Sequence, residues 1–287
     1  MLCAFLALGI ALYPLVSNAY NERHRSQIQT AYTEFVEELD TAETDAEREA
    51  AEAYNAALVP GVAFTREALL RASEQYDGLL NVRGDGTMGY LEIPRLGVEL
   101  PILHGTEEES LSRGVGHLLG TSLPVGGENT HCVLTGHSGM ASQRMFSDLD
   151  QLEAGDLFYL NILGEILAYE VDAIHVVLPE DTACLQIEPG EDYCTLVTCT
   201  PYGVNSHRLL VRGHRIPYAQ QEAAVQEQEA LPVTESTWLR QYGKGIRLGL
   251  LFLAVPLLLA LTGWIRRKWQ GHRLFGGRGG KFAKKKK

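Results

Sequence analysis

The sequence predicts a mainly β protein: a closed barrel with short helices, preceded by an N-terminal helical region and flanked by membrane-anchoring helices. Three observations predict it. From Gly84 onward, short runs rich in Val, Ile, Leu and Tyr alternate with Gly and Pro turns, the pattern of an all-β barrel. Between Tyr20 and Leu58 there is no Pro or Gly, and Ala, Glu, Gln and Arg abound, which predicts helix. An apolar run lies near each end of the chain.

The N-terminal run, Leu2 to Val16, is short for a full span and has no basic residues before it. It reads as an anchor, or as a cleaved signal segment with Ser17-Asn-Ala19 as the processing site. The helical region follows, its acidic face (Glu34, Glu37, Glu38, Asp40, Glu43) reading as solvated. Pro60-Gly61 breaks it, and Thr65 is placed to cap a second helix over Arg66 to Tyr76. Gly84-Asp-Gly86 opens the β domain, within which Asp148 to Glu153 reads as a helical turn. Glu222 to Glu229 is an acidic, Gln-rich linker. The second apolar run, Leu248 to Ile265, has no polar face and is long enough to cross a bilayer. Trp264 and Trp269 suit an interfacial belt, and Arg266, Arg267 and Lys268 mark a cytoplasmic end by the positive-inside rule. The expected organisation is therefore an anchor or signal over 1–19, a helical region over 20–83, the β-barrel over 84–217, a linker over 218–245, a transmembrane helix over 246–265 and a basic tail over 266–287.

Charge is unevenly distributed. The chain of 287 residues has 25 Lys and Arg against 36 Asp and Glu, a net charge of −11. From Lys244 onward there are twelve basic residues and no acidic ones, so the first 243 residues hold thirteen basic and thirty-six acidic residues. All thirteen of those basic residues are arginine, and all seven lysines lie at or beyond Lys244. Two explanations fit: an enzyme that acylates lysine avoids acylating itself, or the genome favours arginine codons. The acidic exterior predicts no nucleic-acid partner. Five cysteines in 287 residues do not make a disulfide scaffold. Cys3, Cys132, Cys184 and Cys194 read as small packing residues, although Cys184 and Cys194 could pair if their strands met.

Cys199 differs from the other four. In Thr195-Leu-Val-Thr-Cys-Thr-Pro-Tyr-Gly-Val-Asn-Ser-His-Arg208, a β-branched run delivers the thiol to a strand end, Thr200, Pro201 and Gly203 turn the chain, and the next strand begins with Arg208. A thiol beside a fixed cation can attack a carbonyl and have the developing negative charge stabilised. The base candidate is His137, at the end of another β-type run, Val133-Leu-Thr-Gly-His-Ser-Gly139. His207 adjoins Arg208, but strand alternation points the two to opposite faces. His104, His117, His131, His175 and His214 read as structural or surface residues. A zinc site from His131, Cys132, His137 and Cys199 would lack any CxxC or HxxxH spacing.

Thr195-Leu-Val-Thr-Cys199 with Arg208, preceded by Thr135-Gly-His137, resembles the sortase signature. The likeness extends through Gly86-Thr-Met-Gly-Tyr-Leu-Glu-Ile-Pro94, Pro101-Ile-Leu-His-Gly105, Gly114-Val-Gly-His-Leu118, Ser122-Leu-Pro-Val-Gly-Gly127 and Arg144-Met-Phe-Ser-Asp-Leu-Asp150. Together these resemble a class C, pilin-polymerising sortase over roughly Tyr76 to Ile216. The resemblance implies a sortase-like barrel and a membrane-anchored cysteine transpeptidase with its catalytic domain outside the cell. Cys199 would cleave a Leu-Pro-x-Thr-Gly-type sorting signal at Thr-Gly, His137 would shuttle protons, and Arg208 would hold the substrate and stabilise the oxyanion. A pilin lysine amine would resolve the thioacyl intermediate, and no metal or organic cofactor is implied. A sortase that anchors surface proteins to peptidoglycan would share the chemistry with a different amine. A surface module that only binds sorting signals is the non-enzymatic alternative. The sequence departs from the family at the lid: no Asp-Pro-aromatic motif lies between Tyr54 and Gly84. Phe64 is the candidate lid residue, without the Asp that would pair with the arginine, so a weak or absent lid is expected.

Overall fold

The computed structural model describes residues 2–58, 75–140, 142–217, 236, 242–243, 254 and 262–266. The chain divides into two compact units, Met1–Tyr13 with Leu239–Lys287, and Pro14–Trp238. The second carries the barrel.

Helix α1 spans Leu2–Glu38 and α2 spans Thr41–Ala57. The helical region is thus broken where a continuous stretch was expected. At Asp40 the backbone is extended (φ −67°, ψ 141°) and the carboxylate accepts from the Ala42 N–H at 3.4 Å, which ends one helix and caps the next. Both helices grip the barrel through side chains that replace backbone partners. The Tyr32 hydroxyl donates to the Met88 carbonyl at 2.8 Å and accepts from the Leu163 N–H at 3.2 Å. Asn55 makes a two-way clamp with Leu123, donating to its carbonyl at 3.1 Å and accepting from its N–H at 2.7 Å. Among the described residues no helix is long and apolar enough to cross a membrane. Most of the Leu248–Ile265 run lies outside the described residues, as do Phe64 and nearly all of the second helix expected over Arg66 to Tyr76.

Eight strands follow. They are β1 (Thr87–Ile93), β2 (Val98–His104), β3 (Val115–His117), β4 (Thr130–Thr135), β5 (Leu157–Ile162), β6 (Glu165–Val177), β7 (Asp192–Thr200) and β8 (His207–Ile216). A single-turn helix, α3 (Glu108–Leu111), interrupts the β2–β3 connection, and a 3₁₀ turn at Leu149–Gln151 falls where the helical turn was expected. The strands close into one barrel in the order β1-β2-β3-β4-β7-β8-β6-β5, with β5 returning to β1. Closure leaves no open sheet edge to template pairing with another chain. Most neighbours are antiparallel, but β2–β3 and β4–β7 run parallel.

Alternation sends one set of side chains inward. Leu91, Ile93, Leu100, Ile102, Leu134, Phe158, Tyr169, Leu196 and Val211 are each at most 1% exposed and form the barrel core. The opposite face of β4, β7 and β8 is apolar too. Val133, Val197 and Leu210 pack there under Leu185 from the β6–β7 connection, with Leu118 and Val177 beside them. This second apolar layer becomes the floor of a groove.

Candidate active site

Strand register brings three distant residues together. In the antiparallel β7–β8 pair, Cys199 lies directly opposite Arg208, so their side chains share a face. In the parallel β4–β7 pair, Thr135 lies abreast of Val197, and the pairing continues beyond the strand. The Gly136 N–H donates to the Val197 carbonyl at 3.0 Å, and the Thr198 hydroxyl donates to the Gly136 carbonyl at 2.7 Å. One further step puts His137 abreast of Cys199. Both stand on the Val197 face by the period of two. Cys199, His137 and Arg208 all line one groove of about 400 Å³.

Local contacts fix this corner. The Ser138 hydroxyl donates to the Cys199 carbonyl at 2.6 Å, tying the histidine loop to the cysteine strand. Behind the histidine, the Phe146 N–H donates to the His137 carbonyl at 3.0 Å, and the Gly139 N–H donates to the Ser147 hydroxyl at 3.1 Å. Glycine at 136 has a steric cause: a Cβ there would lie 2.7 Å from the Phe146 ring. The 144–150 segment therefore buttresses the loop that carries His137, and Arg144 bonds Asp148 to close that segment.

Arg208 donates through Nη1 to the carbonyls of Asn205 at 3.3 Å and His207 at 3.1 Å, which holds its guanidinium against the β7–β8 turn. Among the described residues no carboxylate pairs with it. His137 does have an acidic neighbour: its Nε2 lies 3.2 Å from Glu108 Oε2 on α3. Glu108 was not foreseen as part of this corner. The groove floor is Leu118, Val133, Val197 and Leu210, and Pro179, Asp181 and Thr182 wall one side.

The remaining histidines and cysteines lie elsewhere. His207 bonds Ser206 at 2.9 Å and is absent from the groove lining, as alternation requires. His131 bonds the Gln186 carbonyl and the Thr195 hydroxyl, His104 bonds the carbonyls of Gly86 and Leu79, and His117 bonds Tyr76 and the Ser122 carbonyl. His175 is exposed and His214 half-buried. Cys132 and Cys194 face each other across β4–β7 as buried free thiols, so Cys194 neighbours Cys132 and is not bonded to Cys184. The donors of the hypothetical zinc set are thereby split between the protein interior and the groove.

The sortase domain family model matches residues 91–216. The crystal structure of sortase C from Streptococcus pneumoniae is 45% identical, covers 67% of this chain and 97% of its own, and superposes with a TM-score of 0.60. The chain belongs to the sortase family. Two more sortase structures agree. Sortase C1 of Streptococcus agalactiae is 43% identical, with 67% of this chain and 98% of that chain covered and a TM-score of 0.62. Sortase C-1 of Actinomyces oris is 48% identical, with 61% and 99% covered and a TM-score of 0.55. These structural neighbours are class C sortases. Among curated sortases, sortase D of Bacillus subtilis is 32% identical over 131 residues, or 45% of this chain. That match spans 63% of the relative's length, and the matches to sortase A of Streptococcus agalactiae and of Bacillus anthracis span 47% and 58%. The chain thus covers less than two thirds of these curated sortases.

Proposed function

We propose that this sortase is a class C, pilin-polymerising cysteine transpeptidase. The observation that carries the reading is the register of three strands, which aligns Cys199 with Arg208 and brings His137 level with both at the mouth of an apolar groove. The groove floor of Leu118, Val133, Val197 and Leu210 suits the Leu-Pro part of a Leu-Pro-x-Thr-Gly signal, since extended apolar residues need an apolar bed and little else.

In this mechanism the Cys199 sulfur attacks the Thr carbonyl. The oxygen takes up negative charge, which the Arg208 guanidinium stabilises from a position already fixed by the Asn205 and His207 carbonyls, so no reorganisation is required as charge develops. His137 protonates the departing glycine amine, leaving a thioacyl enzyme, and later takes a proton from the incoming amine. A pilin lysine is the proposed acceptor. A peptidoglycan amine would use the same residues, but the 43–48% identity to class C structures favours the pilin acceptor. A module that merely binds sorting signals would have no need of a thiol, an imidazole and a guanidinium at one point.

The proposed setting is a cell membrane, with the acidic barrel outside and the basic tail inside. It is supported by the two apolar runs and the charge reversal at Lys244. The test is incubation of the purified chain with a Leu-Pro-x-Thr-Gly peptide library and a lysine-bearing pilin fragment, read by mass spectrometry. An isopeptide-linked product is the expected result. Cleavage with hydrolysis alone, or ligation only to peptidoglycan amines, would overturn the pilin reading. Binding without any turnover would leave only the signal-binding module.

A further inference from the structure

Helix α3 sits at the rim of the groove: Thr106 just before it and Leu111 at its end both line the cavity. Glu108 projects from its first turn and accepts from His137 Nε2 at 3.2 Å. A carboxylate can only accept, so Nε2 carries the proton of this contact; once His137 has given that proton to the departing amine, Nε2 holds a lone pair beside Glu108. The Glu108 side chain is 76% exposed and that of His137 is 29% exposed. An ion pair this open to water adds little to stability. It does, however, place a negative charge in solvent contact beside the residue proposed to accept the proton of an incoming amine.

A second, independent observation concerns amines. The first 243 residues contain thirteen arginines and no lysine, while the last 44 contain seven lysines and five arginines. The chain therefore uses lysine freely in one part and not at all in the part that carries the groove. Arginine stays protonated and is no nucleophile, whereas a lysine amine can lose its proton and attack a thioester. A site that draws in ammonium groups beside a thioacyl sulfur is exposed to competition from the protein's own lysines, and the folded domain presents none.

We propose that Glu108 is the acceptor-binding residue of this site: its carboxylate receives the ammonium group of the incoming lysine and holds it beside His137. The inference rests on the transpeptidase reading above. In the step it serves, the ammonium gives one proton to His137 and the freed nitrogen lone pair forms the C–N bond. The C–S bond breaks with its electrons left on Cys199 as thiolate, and the second nitrogen proton passes to solvent. Glu108 takes no part in bond making. It supplies the charge that favours a cationic acceptor over an uncharged one.

The test measures partition of the thioacyl enzyme between two nucleophiles. The full chain, loaded with a sorting-signal peptide, is offered a lysine-bearing peptide, which is cationic, or hydroxylamine, which is uncharged at neutral pH. For Glu108→Gln the ratio of lysine to hydroxylamine transfer is expected to fall about tenfold, the scale of one charge-assisted contact, with Glu108→Asp retaining most of the wild-type ratio. If both transfers fall together, Glu108 only orients His137 and the proposal is overturned. An unchanged ratio overturns it equally. If the wild-type chain forms a thioacyl enzyme but never ligates lysine, the transpeptidase reading fails first and takes this inference with it.

Discussion

Strand β7 carries two cysteines five residues apart, and their surroundings have almost nothing in common. Five is odd, so Cys194 and Cys199 point to opposite faces. Cys194 points into the barrel, fully buried, opposite Cys132 on β4 and within the main core. Burial pushes its thiol well above the ordinary range, away from the reactive thiolate. Cys199 stands at the strand end on the outer face, half-exposed, opposite Arg208 and level with His137. Residue type does not separate a packing cysteine from the proposed nucleophile here; parity along the strand and distance from its end do.

The sharpest way to break this comparison is to remove each thiol in turn. Cys199→Ala is expected to abolish the thioacyl adduct and reduce ligation by on the order of a thousandfold or more, with the melting temperature unchanged. Cys194→Ala is expected to keep ligation and lower stability by about 1 kcal/mol, as a small cavity opens in a packed core. Thiol alkylation of the native chain separates them again: Cys199 should label quickly and Cys194 only on unfolding. Equal labelling would mean that the barrel interior is open and the contrast is wrong.

The next test acts on the support behind the site. Gly136→Ala puts a methyl 2.7 Å from the Phe146 ring, whose own N–H holds the His137 carbonyl. Overpacking of this kind costs about 1–3 kcal/mol, and here it also shifts the histidine. Ligation should fall about tenfold or more, since displacements near 1 Å cost that much or more in catalysis. A matching Phe146→Leu should recover part of the loss by making room. If Gly136→Ala lowers stability alone, the buttress does not position His137.

The barrel and the grouping of Cys199, His137 and Arg208 were legible because each of the three sits at the end of a β-type run, and strand ends in a closed barrel gather at its rims. The separation of His207 from Arg208 followed from alternation alone. Glu108 was not legible. It lies 29 residues from His137, and the parallel β2–β3 pairing together with the β3–β4 pairing brings the two segments together; no local spacing encodes such a crossover. The break at Leu39–Asp40 was missed for a different reason. Helix propensity runs unbroken across it, and one capping carboxylate outweighs that average. The Cys184–Cys194 alternative gave way to Cys132 as neighbour for the same reason as Glu108: parallel register is a long-range property.

A smaller effect probes the missing lysines. Val204 lies in the β7–β8 turn, 69% exposed and close in sequence to both Cys199 and Arg208. Val204→Lys should yield a minor self-acylated or cross-linked species when sorting peptide is supplied without acceptor, visible as a mass increase mapped to residue 204, and Val204→Arg should not. Absence of that species would leave arginine codon preference as the better account of the composition.

The smallest predicted effect lies on the structural side of the comparison. His131 is buried between β4 and the β6–β7 connection, its ring bonded to the Gln186 carbonyl at 2.8 Å and to the Thr195 hydroxyl at 2.7 Å. Burial lowers its pKa below the ordinary 6.5; the Gln186 bond opposes that, Arg212 adds to it, and Glu188 and Asp172 oppose it. A base whose pKa is depressed by folding binds its proton more readily when unfolded. Its contribution is therefore complete above about pH 6.5 and declines as pH falls from there toward the folded pKa. Gln186 follows Leu185, which lines the groove, so the loss should loosen that wall as well as the fold. Melting temperature and peptide KM measured from pH 7.5 down to 5 should both worsen in the wild-type chain, and His131→Asn should flatten the acid-side slope while lowering the plateau. A slope unchanged by His131→Asn would assign the acid sensitivity to other groups and leave His131 as packing alone.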